Sequence, residues 1–262
     1  MTSLGSQARR IRLDMEYDGT DFVGWQTQAQ GRTVQGELRR ALGIFLQEEA
    51  EPVGSGRTDA GTHARAQVVH FETRSQHLVE RMVPALNSLL PPDLAVLRAL
   101  EVAETFHARY SAIGKHYRYR IQLRRHPLQR CQVWNLKRPA LDEAAIRKAV
   151  VFLKGRHSFQ AFCNADPPPE HFECMVREAR WVSSEEEYRL DIEANRFLRH
   201  MVRIVVGTLV EVGTGRFTPD QFRRLVELPG RRGGAGVTAP ACGLTLWQIH
   251  YPPAFGGASG AL

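Results

Sequence analysis

The chain has 262 residues, 43% of them hydrophobic, enough apolar material for one large domain or two ordinary ones. Lys and Arg number 35 against 28 Asp and Glu, a formal net charge of +7, which makes a polyanion, nucleic acid above all, the leading partner class. No stretch approaches the roughly 20 apolar residues of a membrane helix, and "MTSLGSQARRIRLDMEYDG" has no apolar core of a signal peptide, so a cytoplasmic protein is expected. Cys131, Cys163, Cys174 and Cys242 form no C-x-x-C pair, and the His171 and Cys174 neighbours lack a second half, which predicts reduced thiols and no structural metal.

"RIRLDMEY" alternates Ile11, Leu13, Met15 and Tyr17 with Arg12, Asp14 and Glu16, a period of two that predicts a half-buried strand. "TVQGELRRALGIFL" sets Val34, Leu38, Ala41, Leu42 and Phe45 on one helical stripe with Thr33 as N-cap. Then comes "GSGRTDAGTHA", residues 54–64, in which Asp59 stands two residues after Arg57 and four before His63. Gly, Ser, Thr and Asp are ordinary turn residues, so a plain turn is one reading. The other is functional. "ARAQVVHFET" follows as a strand, alternating Ala66, Val68 and His70 with Gln67, Val69 and Phe71, and a loop feeding a scaffold strand is where functional groups concentrate. Glycoside hydrolysis commonly uses two carboxylates. One carboxylate with an arginine beside it suits a nucleophile kept ionised. A helix marred by Pro84, a break at Pro91-Pro92-Asp93 and a strand over Leu94–Val102 complete the first half.

The second half repeats the theme. "KHYRYRIQL" reads as a strand with Lys115, Tyr117, Tyr119 and Ile121 on one face and His116, Arg118, Arg120 and Gln122 on the other. Aromatic rings beside arginines suit RNA, whose bases stack while guanidinium groups meet phosphates. A core-facing Tyr pair under a solvated Arg row fits equally well. A helix capped by Asp142 runs through "EAAIRKAVVFLKG", and strands are expected over 174–181 and 188–192. A long helix over 197–212 would align Arg196, Arg199 and Arg203 on one face, with Met201, Val202, Ile204, Val205 and Leu209 making most of the rest apolar. Arginines so embedded need phosphates or carboxylates as partners. Thr218, Pro219 and Gln221 form a capping-box pattern that opens a last short helix before the strand "LTLWQIH". The glycine-rich stretch 230–236 lacks the G-K-[ST] ending of a phosphate loop and reads as a surface loop. The expected architecture is α+β, two halves at 1–107 and 108–262 with mostly antiparallel strands.

"GRTDAGTHA" resembles the catalytic motif of the tRNA pseudouridine synthase A family, and the similarity spans nearly the whole chain. "YDGTDFVGWQTQ", "TVQGELRRAL", "LNSLLPPD", "FHARYSAIGKHYRYRI", "FLRHMVRIVVGTLVEVGTGR" and "APACGLTLWQIHYP" are similar to its other signature blocks, in the same order. The resemblance implies that Asp59 is the nucleophile, Arg57 its ion-pair partner, Tyr117 the ring that stacks on the target base and assists deprotonation, and Arg203 a second arginine near the aspartate. Leu244 would line the pocket, and His63 and Arg199 would join Tyr117 and Leu244 in binding substrate. It further implies conversion of uridine to pseudouridine at positions 38 to 40 of the tRNA anticodon stem-loop, with no cofactor and no metal. It implies two ferredoxin-like (RRM-like) halves sharing one mostly antiparallel sheet, and a homodimer. The chain departs from the family pattern at Thr62, where Val is common, at Ser158, where Asp is usual, and at Arg196, where a small residue is frequent. The rival readings are a non-catalytic RRM-like RNA-binding protein, in which Asp59 is dispensable, and a glycosidase or nucleosidase, which needs a second carboxylate.

Overall fold

The computed structural model describes residues 8–136, 141–228, 234–257 and 259, so most of the expected glycine-rich loop at 230–236 lies outside the described residues. In chain order the elements are β1 (Arg9–Tyr17), α1 (Val34–Leu46), β2 (Val53–Gly54), β3 (His63–Thr73), α2 (Met82–Leu89) and β4 (Leu94–Val102). There follow β5 (Gly114–Gln122), β6 (Trp134–Asn135), α3 (Glu143–Val150), β7 (Gly155–Ser158), β8 (Glu173–Ser183), β9 (Glu187–Ala194), α4 (Met201–Gly213), α5 (Pro219–Glu227) and β10 (Leu244–His250). The chain forms two compact units, one of Met1–Ile113 with Leu246–Leu262, the other of Gly114–Thr245. A single division near residue 107 was expected; most of β10 and the segment after it group instead with the first unit.

The first unit runs β1, α1, β2, β3, α2, β4, with β1 antiparallel to both β3 and β4 and β2 paired to the other side of β3. That is the spatial order 4-1-3-2 of a ferredoxin-like half. Thr33 caps α1 by accepting from the Gly36 amide, and Val34, Leu38, Ala41, Leu42 and Leu46 form its buried stripe. Pro84 does not kink α2: a 3-10 turn over Val79–Arg81 takes up the start, and Pro84 falls in the first turn of the helix, where its missing amide costs no bond.

The alternation of β1 predicts one dry and one wet face, and the structure buries Arg12 and Asp14 of the wet one while leaving Glu16 exposed. Ile11, Leu13 and Met15 are fully buried, as expected, but so is Arg12, and Asp14 is 7% exposed. The segment after β10 covers them. The Arg12 Nη1 donates to the Phe255 carbonyl at 2.6 Å, its guanidinium lies 4.8 Å from the Tyr251 ring centre, and its Nε meets Asp14 Oδ1 at 2.7 Å. Arg98 Nε adds a second cation 3.5 Å from Asp14 Oδ2.

In the second unit β5 is antiparallel to β9, β9 to β8 and β8 to β7, with the short β6 parallel to β5. The succession β5, α3, β8, β9, α4 repeats the order of the first half, so both units are α+β with mostly antiparallel sheets, as the sequence led one to expect. Asp142 caps α3 and Thr218 forms a complete capping box with Gln221 at the head of α5. The α3 helix is shorter than its apolar pattern suggests, passing into a 3-10 turn at Val151–Leu153. All four cysteines are free, Cys163 and Cys174 among the buried residues.

Asp14→Asn keeps the side-chain shape but leaves the buried guanidinium of Arg12 without its counter-charge. Urea unfolding should show a loss of about 3–5 kcal/mol; a loss under about 1 kcal/mol would mean that the Phe255 carbonyl and the Tyr251 ring hold Arg12 without Asp14.

Candidate active site

Asp59 sits half-buried in the link between β2 and β3, and the residues on each side of it are tied inward. Ser55, fully buried, donates from its amide to Val68 O at 2.8 Å and from its hydroxyl to Gln67 Oε1 at 2.7 Å. Gln67 returns a bond to Gly56 O at 2.9 Å. Thr58 shares a hydrogen bond with the Tyr17 hydroxyl at 2.8 Å, and its carbonyl accepts from the Trp25 amide at 3.1 Å. Beyond Asp59 the Thr62 amide closes a turn onto Asp59 O at 3.0 Å, and the Gly61 amide bonds Phe22 O at 3.2 Å.

Tyr17, Gly19, Phe22 and Trp25 all come from the block "YDGTDFVGWQTQ", so one stretch of sequence braces the other. Gly19 is required there: a Cβ at that position would stand 2.0 Å from Thr62 O. Burial pushes the Tyr17 hydroxyl up to about 12 against the hydrogen bonds from Thr58 and Gln67, so it stays protonated at neutral pH and serves as a neutral strut.

His63, expected to bind substrate, opens β3 as a buried ring. Its Nδ1 accepts from the Gly19 amide at 3.1 Å and lies 3.1 Å from Asp18 Oδ1. Burial alone would raise the Asp18 pKa, but hydrogen bonds from the Thr20 hydroxyl and amide outweigh it and hold the carboxyl below its usual range. Arg57 corrects an expectation. It is exposed and makes no ion pair with Asp59 or any other carboxylate among the described residues. Ser55 and Thr58 are anchored inward, and Arg57 between them faces solvent.

In the second unit Tyr117 lies on the buried face of β5, 8% exposed, with Phe197 edge-on at 4.9 Å. Tyr119, two residues on, is a core residue: its hydroxyl donates to Pro240 O at 2.7 Å, and burial raises its pKa well above the usual value. Arg203, half-buried on α4, donates from Nε to Ala239 O at 2.8 Å while the Ala239 amide returns a bond to Arg203 O at 3.1 Å. Gly207 permits this, because a Cβ there would meet Val237 O at 1.9 Å. The chain then passes through Gly243, packed under the Tyr119 ring, to the buried Leu244. Arg203, the 239–243 segment and β5 are thus tied together within this unit.

The arginine stripe expected along one long helix does not form. The α4 helix begins at Met201, so Arg196 and Arg199 lie in the preceding segment, where His200 takes a left-handed φ of 62° and Phe197 turns aside onto Tyr117. Arg199 is exposed and its carbonyl accepts from the Asn164 amide at 3.2 Å. The arginine face of β5 already has carboxylate partners. Arg118 and His116 reach Asp191 Oδ1 at 2.8 and 2.9 Å, Arg189 reaches Asp191 Oδ2 at 2.7 Å, and Arg120 pairs with Glu187 at 2.6 Å. Of the two readings of that strand, the tyrosine-core one describes Tyr119, and cross-strand acids on β9 take the place of phosphates. Phe197 and the Thr58 to Tyr17 strut escaped the sequence reading, since the first lay inside an apparent helix and the second joins residues 41 apart in sequence.

Burial works against ionisation of Asp191, but hydrogen bonds from His116 and Arg118 and the charges of Arg118 and Arg189 outweigh it and hold the carboxyl at about 2. A folded value below the unfolded one gives stability that is complete above about pH 4 and disappears as pH falls toward about 2, in all about 2 kcal/mol. Asp191→Asn should flatten the acid-side fall in urea midpoint across that window, and an unchanged slope would remove Asp191 as its source. Thr62, where Val is common in the family it resembles, is 2% exposed with a hydroxyl that has no hydrogen-bond partner among the described residues. Thr62→Val should therefore stabilise by about 1 kcal/mol, raising Tm by about 2–4 °C; a fall in Tm would show that the hydroxyl is satisfied in solution.

Among the described residues no group of three or more His, Cys, Asp or Glu side chains is placed to hold a metal, and no helix is long and apolar enough to cross a membrane. A family model described as tRNA pseudouridine synthase matches residues 15–111 and 149–252. The tRNA pseudouridine synthase A of Moorella thermoacetica is 46% identical over 245 residues, covering 92% of this chain and 99% of the relative. That of Chloroflexus aurantiacus is 44% identical over 254 residues, and that of Exiguobacterium sibiricum 41% over 244, covering 94% and 93% of this chain and 90% and 97% of the relatives. Matches of this extent show that the chain belongs to the tRNA pseudouridine synthase family, isomerases that act on tRNA.

Proposed function

We propose that the protein converts uridine to pseudouridine at positions 38, 39 and 40 of the tRNA anticodon stem-loop, with Asp59 as nucleophile. The observation that carries this reading is the bracing of the Asp59 loop. Thr58 and Thr62 are pinned on either side, so the carboxylate between them is held by a frame that a plain surface turn does not need.

Uracil is joined to ribose through N1 and must be rejoined through C5. The target uridine is flipped out of the stem-loop, at a few kcal/mol, and the Tyr117 ring, steadied by Phe197, replaces the lost stacking. Asp59 either attacks C1′ or takes a proton from the ribose. In both routes the N1 to C1′ bond breaks, the uracil turns, C5 bonds to the ribose, and the proton on C5 leaves to a base, the role open to the Tyr117 hydroxyl. Side chains supply every step of this scheme, without cofactor or metal.

Arg203 is assigned the electrostatic role of keeping the nucleophile ionised, and Leu244 an apolar wall. Exposed and without an ion pair among the described residues, Arg57 serves the RNA backbone better than the aspartate, as does Arg199. His63 acts through the loop it braces. The proposal includes a homodimer acting in the cytoplasm.

The test is tritium release from anticodon stem-loop uridines labelled at C5, comparing wild type with Asp59→Ala, with the modified positions mapped. Release by wild type alone, at positions 38 to 40, is expected. Intact tRNA binding with no release by either protein would make the chain a binder, and liberation of free uracil would make it a glycosidase.

A further inference from the structure

The turn between β4 and β5 carries an exposed aromatic ring that the proposed reaction does not use. Tyr110 is 76% exposed. It ends a series of rings that starts in the core: His70, 6% exposed, lies 4.6 Å from His107, and His107 lies 4.4 Å from Tyr110, centre to centre.

The turn is fixed in place. His107 Nδ1 accepts from the amides of Arg109 and Tyr110 at 3.1 and 3.2 Å, the His107 amide donates to the Ser111 hydroxyl at 2.9 Å, and the Ser111 amide donates to His107 O at 2.9 Å. One ring deeper, His70 Nδ1 accepts from the Ala108 amide at 3.2 Å. Both imidazoles therefore act as neutral acceptors. Burial holds His70 down at about 4, and burial with the charges of Arg10 and Arg109 lowers His107 as well. The Arg109 guanidinium, itself exposed, lies 5.6 Å from the Tyr110 ring centre.

A series of tilted rings with an exposed outer face, fixed by hydrogen bonds and flanked by a cation, has the shape and charge to receive a flat group attached to an anion. We propose that Tyr110, with Arg109 beside it, is a stacking site for an unpaired nucleobase of the RNA substrate, other than the uridine that reacts. The ring offers a π-face to a base of any identity and Arg109 meets the neighbouring phosphate. An apolar protein surface is a poorer fit, since the ring is bordered by Arg109 and His107. The inference rests on tRNA being the substrate, and its test separates the two.

With the full chain and a tRNA transcript, Tyr110→Ala is expected to raise KM for tRNA about tenfold while kcat stays within about twofold, and Tyr110→Phe, which keeps the ring, to behave as wild type. Ultraviolet cross-linking of wild type to the transcript, read by mass spectrometry, is expected to place a nucleotide adduct on Tyr110. An unchanged KM together with no adduct would overturn the proposal. So would a shift in oligomeric state of Tyr110→Ala with RNA binding intact, which would make the ring a contact between copies. If Tyr110→Ala fails to fold, the wild-type adduct decides alone. A wild type that binds tRNA and forms no pseudouridine would defeat the proposed reaction but leave the cross-linking arm readable.

Discussion

The Thr58 to Tyr17 hydrogen bond, 2.8 Å long and buried, is the contact on which the candidate site depends most. It joins the loop before Asp59 to the end of β1, a central strand of the first unit, and so passes the rigidity of the sheet to a segment that would otherwise be a mobile turn. Gln67 and Ser55 extend the same network into β3, and Gly19 lets the far side of the loop close against the chain that follows β1. The carboxylate is thus carried by backbone geometry on both flanks rather than by a salt bridge to the adjacent Arg57.

Charge is managed differently in the two units. In the first, Arg12 is fully buried and satisfied by one carboxylate, one carbonyl and an aromatic face. In the second, Asp191 gathers Arg118, Arg189 and His116 between neighbouring strands. Such arginines are balanced by carboxylates, so the net charge of +7 is carried by basic residues elsewhere. Arg57, Arg109 and Arg199, by contrast, are exposed.

Caps and short-range patterns were legible in the chain. Thr33, Asp142 and Thr218 cap the helices they were expected to cap, and β4 and β10 occupy their expected spans, because caps and strand alternation act within a few residues. Asp59 was legible as a functional candidate through its motif. The long arginine helix was not, for nothing local in "NRFLRHMVR" forbids a helix; the Phe197 contact with Tyr117 on β5 competes with it and delays the start to Met201.

By itself, then, the sequence determined the element types, the α+β class, the family and the residues worth suspecting, since these depend on local stereochemistry and on motifs preserved in order. Tertiary structure alone decided which charges are buried, which arginines are already paired, that Arg12 and Asp14 on the polar face of β1 are covered, and that residues from 246 onward group with the first unit. Those outcomes depend on contacts between residues as far apart as Arg12 and Phe255, separated by 243 positions, and no local pattern records which distant partner will cover a given face.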